Sequence, residues 1–185
     1  MQRIKALDPA VQTGETKALF DATKAKLGVI PNLVKTLGHS TAALKSYLSF
    51  SGALGESTVL GKQLGEQIAL AVANANGCEY CNAAHSYLGH RVAGLSEDEI
   101  KLARTGKATD LKAQAAIAFS LALLMKKGKV SDADIHLARN AGFDDAAIVE
   151  IIAHTVLNIF TNYFNNAAAV TVDFPRVELV AEAAL

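Results

Sequence analysis

A chain of 185 residues with 18 basic and 18 acidic side chains has the length of one domain and no net charge to speak of. It has no basic stripe, so neither nucleic acid nor a membrane surface is an expected partner. Hydrophobic residues make up 51% of the chain, ample for a core, and MQRIKALDPAVQ at the start lacks the apolar segment of a secretory signal, so a cytoplasmic location is expected.

Residues 1–12 are expected to form an irregular arm. A first helix is predicted from about Glu15 to Leu27, stopping at Gly28, and Pro31 suits the first turn of a short second helix ending at Gly38. Ser40 caps a third, Thr41 to Leu54. A fourth helix, capped by Ser57, runs to Asn76, and Gly77 stops it, since glycine takes the left-handed position without strain. A fifth starts near Cys78 and reaches about Val92.

SEDEIKLARTG and SDADIHLARNAG then echo each other at Ser96–Gly106 and Ser131–Gly142. Each opens on a capping-box signal and closes on glycine, which reads as two similar short helices and not a solenoid. Each leads into a long apolar helix, Asp110 to Lys127 and Asp145 to Val172. The run AIVEIIAHTVLNIF is too short to cross a bilayer and contains Glu150 and His154. The apolar runs are Ala-rich and of helical length, so the fold class is all-α: a single-domain helical bundle over 1–185, with 174–185 as a C-terminal tail. Helices apolar nearly all round in so small a chain point to a homo-oligomer.

The chemistry concentrates in GEQIALAVANANGCEYCNAAH, Gly65 to His85, which holds both cysteines of the chain, Cys78 and Cys81. Two cysteines three positions apart cannot link distant parts of a fold, so without an export signal they read as redox-active or metal-binding. On one helix Cys78, Cys81 and His85 fall within an arc of roughly 60°. If the helices fold back at Gly77, Glu66 and His85 mismatch by only about 4–5 Å along the axis, which a long side chain or one water closes. The imidazole can take a thiol proton and the carboxylate can orient the imidazole. The order of attack stays open: the helix N-terminus favours Cys78 as the more acidic thiol, and His85 favours Cys81.

The pattern E-x11-C-x2-C-x3-H after an apolar run resembles the AhpD-like alkylhydroperoxidase group of the carboxymuconolactone decarboxylase family. PNLVKTLGHSTAALKSYLSF and NIFTNYFNNAAAVTVDFP resemble its peroxidase-related branch, so the likeness spans Pro31 to Pro175. The resemblance implies Cys81 as attacking thiol, Cys78 as resolving thiol, and a proton relay of His85 and Glu66. It implies a hydroperoxide substrate, an external dithiol carrier as reductant with no resident cofactor or metal, and a dimer, trimer or hexamer. One departure stands out: members often carry a histidine between the cysteines, where this chain has Tyr80, which titrates near pH 10 and is a poor shuttle at neutral pH.

Blander readings exist for each residue. The cysteines are inert buried thiols in one, and zinc ligands with His85 and Glu66 in another. Glu66 can pair with Lys62 on its own helix. His154, Asn158, Asn162 and Asn165 recur at helical spacing, either lining the site or bonding to neighbouring helix ends. His39, His90 and His136 are expected to be solvated or in the core, and Tyr80 to line the pocket or only pack. Beside a peroxidase, two function classes remain: a lactone decarboxylase, whose branch does not depend on the cysteine pair, and a non-catalytic redox-sensing assembly.

Overall fold

Each apolar run of helical length forms a helix in the computed structural model, which describes residues 1–180. The helices are α1 (Gly14–Leu27), α2 (Asn32–Leu37), α3 (Thr41–Glu56), α4 (Gly61–Ala75), α5 (Glu79–Arg91), α6 (Glu97–Arg104), α7 (Leu111–Met125), α8 (Asp132–Asn140) and α9 (Asp145–Ala168). No strand occurs among the described residues, so the fold is all-α.

Helix α4 is the central post, with α5, α6, α7 and α9 packed around it. Its buried side chains serve three apolar clusters: Ile68 and Val72 face α7 and α9, Leu70 faces α6, and Ala73 joins the cluster that contains both cysteines. Ile68, Leu70 and Val72 are fully enclosed, each contributing about 1.5–3 kcal/mol by burial. The two echoing segments carry complete capping boxes, Ser96 with Glu99 and Ser131 with Asp134. Lys126 and Ser131 hold the Asp134 carboxyl down at about 2.

Three boundaries differ from the sequence reading, each for a tertiary reason. The arm is tied down: Asp8 caps a 3-10 turn at Pro9–Val11, and the Arg3 amide donates to the Ala168 carbonyl at 2.8 Å. Ser57 does not cap α4. It ends α3, its hydroxyl donates to the Glu150 carboxylate on α9, and α4 begins only at Gly61. Helix α9 stops at Ala168 and not at Val172, because Ala169 turns left-handed (φ 50°) and Val170 donates to the Asn165 carbonyl. Beyond it the chain forms no helix or strand up to Val180, whose backbone makes a two-way bond with the Asn74 side chain. Residues 181–185 of the expected tail lie outside the described residues.

Helix α9 as a whole, at 24 residues, is long and apolar enough to cross a membrane by length and composition. In this fold it packs along α3, α4, α5 and α7.

Candidate active site

The α4–α5 turn sets the site. Gly77 takes φ 60°, its amide donates to the Asn74 carbonyl, and the Cys78 amide donates to Ala73. The chain thus reverses within two residues and places Cys78 as the N-cap of α5. Its sulfur accepts from the Cys81 amide at 3.2 Å. Cys78 and Cys81 are joined as a disulfide, with Cα atoms 5.3 Å apart, within the span such a bridge needs. Both cysteines are buried. Asn82 braces the turn by donating to the Cys78 carbonyl at 3.0 Å, and its own carbonyl oxygen accepts from Arg104.

The fold-back brings Glu66 of α4 to His85 of α5. His85 Nδ1 donates to Glu66 Oε2 at 2.8 Å, so the side chains close the expected mismatch directly. A neutral His85 with its proton on Nδ1 leaves Nε2 as the basic atom, one turn along α5 from Cys81. Glu66 turns to His85 and not to Lys62. Among the described residues no group of three His, Cys, Asp or Glu side chains is placed to hold a metal ion.

Two further groups face this pair. Tyr47 of α3 has its hydroxyl pushed up to about 12, chiefly by burial and then by the Glu66 carboxylate. His154 of α9 packs closely on α4 at Gly65, where an added Cβ would sit 3.0 Å from its Cε1. Burial pushes the His154 imidazole down, Glu150 and Glu66 act the other way, and His85 adds to the lowering.

The asparagine ladder of α9 divides its work. Asn158 bonds back to the His154 carbonyl of its own helix. Asn162 and Asn166 clamp the turn, accepting from the Asn76 side chain at 2.9 Å and donating to its carbonyl at 3.0 Å. Asn165 reaches the sulfur: its Nδ2 donates to Cys81 Sγ at 3.2 Å. Both readings of the ladder therefore hold, for different members.

Tyr80 is structural. Its buried hydroxyl accepts from the Leu33 amide at 3.2 Å, its ring meets Phe174 edge-on at 5.8 Å, and burial drives its titration well above the usual range. His39 bonds the Lys5 carbonyl of the arm, and His90 the Leu95 carbonyl after α5.

Residues 41–125, which include the hairpin and its four polar groups, match the model of the carboxymuconolactone decarboxylase family. Over this stretch the chain is similar to that family. Among solved structures it is similar to an uncharacterised peroxidase-related protein of Ralstonia eutropha JMP134 with an alkylhydroperoxidase AhpD core: 23% identity, 93% of this chain and 92% of that one, TM-score 0.82. A peroxidase-related protein of Silicibacter sp. TM1040 gives 24% identity, 92% of both chains and a TM-score of 0.78. The debrominase Bmp8 gives 18% identity, 92% of this chain and 91% of that one, and a TM-score of 0.77. At these identities the likeness is one of fold. Comparison with curated proteins gives no significant match.

Tyr47 is the site neighbour that sequence reading misses, while His154 and Asn165 stand in the ladder without a settled role. The helical spacing of His154 and Asn165 marks their face of α9, but which of the ladder reaches sulfur depends on how α9 crosses α5.

Proposed function

We propose that this chain is a member of the carboxymuconolactone decarboxylase family and a thiol-dependent hydroperoxide reductase that cycles the Cys78–Cys81 pair between dithiol and disulfide. One observation carries the reading: a two-cysteine turn and a Glu66–His85 pair bonded at 2.8 Å are built into the same helix hairpin. That is the part list of an activated thiol with a resolving partner.

His85 takes the Cys81 proton, and Glu66 stabilises the imidazolium. The Cys81 thiolate attacks the terminal peroxide oxygen; the S–O bond forms, the O–O bond breaks, and the leaving alkoxide takes the proton from His85 as the alcohol departs. Cys78 then attacks the Cys81 sulfenic acid, forming the disulfide and releasing water. An external dithiol carrier reduces the disulfide and leaves oxidised. The chain supplies the sulfurs and the proton relay and needs no resident cofactor. We place it in the cytoplasm as a homo-oligomer.

The fold shared with a debrominase favours one second electron acceptor, a carbon–bromine bond, reduced to carbon–hydrogen with loss of bromide as the same two thiols become the disulfide. The lactone decarboxylase reading leaves the cysteine pair without a task, and a redox sensor needs the disulfide but no turnover.

The test is consumption of an organic hydroperoxide with dithiothreitol as reductant. Wild type turns over, Cys81→Ser does not, and Cys78→Ser accumulates a dimedone-reactive sulfenic acid on Cys81. Turnover that survives Cys81→Ser, or an adduct on Cys78 instead, contradicts the assignment. A parallel arm with a bromopyrrole reads the second acceptor.

A further inference from the structure

The physical cues along α5 leave the two sulfurs level, because Cys78 has the helix N-terminus and a backbone donor while Cys81 has His85. A group from another helix breaks the tie. Asn165 is 3% exposed, and the hydrogen bond it makes through its side-chain amide is to Cys81 Sγ, at 3.2 Å. Its Oδ1 is buried with no partner among the described residues. Asn162 also keeps one amide end buried and unpaired, but its bonded end goes to Asn76, whereas the bonded end of Asn165 goes to the sulfur. Anchoring of α9 to the turn is already done by Asn162 and Asn166, both bonded to Asn76.

We propose that Asn165 is a catalytic residue of the dithiol cycle, the donor that holds the Cys81 sulfur as an anion and makes Cys81, and not Cys78, the attacking thiol. The proposal rests on the reading of the pair as redox-active. A disulfide sulfur is a weak acceptor. After reduction the same N–H faces a thiolate, and charge-assisted bonds are the strong ones. The two helices then split the work at one atom: His85 on α5 removes the proton, and Asn165 on α9 stabilises the charge left behind. The unpaired Oδ1 belongs to the amide that touches sulfur, so the hydroxyl of a Cys81 sulfenic acid has an acceptor beside it.

The test reads the sulfur without any peroxide, so failure of the hydroperoxide reading leaves it intact. Thiolate absorbance and alkylation rate are followed against pH in Cys78→Ser, alone and combined with Asn165→Asp or Asn165→Ala, with circular dichroism to verify the fold. Loss of a hydrogen bond to a charged group should raise the Cys81 pKa by about one to two pH units. The isosteric Asn165→Asp should raise it further, because a carboxylate repels the thiolate. In a Cys81→Ser background the Cys78 pKa should not move. A folded Asn165→Asp protein with an unchanged Cys81 pKa overturns the proposal, as does an equal rise at Cys78.

Discussion

In the proposed cycle His85 and Glu66 act on Cys81 as one unit. If His85 is the base, His85→Ala should raise the pKa of the attacking thiol towards the free value of about 8.5. Glu66 works only through the imidazole it orients, so Glu66→Gln should shift the same pKa less, and the double variant should be little worse than His85→Ala. Alkylation rate against pH for the four proteins checks this; additive losses would detach Glu66 from the relay. These side chains were legible in the sequence because their spacing on two helices and the glycine between them are local facts. Asn165 was legible only as one of four ladder residues that line the site or bond helix ends, and Tyr47 not at all, because which side chain reaches the sulfur comes from the crossing of distant helices, which spacing does not record.

The α4–α5 hairpin depends on Gly77. An alanine there meets no atom within 4 Å, so its cost is backbone strain alone at φ 60°. Gly77→Ala should destabilise the fold by about 1–2 kcal/mol in chemical denaturation. A neutral result would mean that the turn re-forms in another conformation.

The packing of α9 on α4 makes a pH signature. His154 has its folded-state pKa lowered, so between that value and the unfolded value of about 6.5 the unfolded chain binds the extra proton. Stability from this group is therefore complete above that unfolded value and is lost as pH falls through the folded-state pKa. Urea midpoints at about pH 7.5 and about pH 5.5 should differ less in His154→Gln than in wild type. At this scale the sequence located each helix and missed ends. Ser57 looked like a cap because its use by Glu150, far along the chain, leaves no local trace. Val170 and Val172 continued an apolar run although the helix had already ended.

For the whole molecule, the all-α class followed from helical periodicity and the shortage of strand signals. Assembly is a further matter. Val149, Val156, Phe160 and Tyr163 recur at helical spacing on α9 and remain exposed in the single chain. We propose that a second copy covers this stripe, since so apolar a face is rarely left exposed. Light scattering should give a multiple of 19.4 kDa, and Val156→Asp should move it towards one chain. A monomeric wild type at micromolar concentration would contradict the assembly.

In the proposed cycle one hydroperoxide turns the dithiol into the disulfide within a single chain. The direct measurement is a single turnover: fully reduced protein receives one equivalent of an organic hydroperoxide, followed by thiol titration and peptide mass mapping. Both thiols should disappear together, with one equivalent of alcohol formed and Cys78 joined to Cys81 in the same chain. Free thiols beside unreacted hydroperoxide, or cysteines linked only between chains, would contradict it.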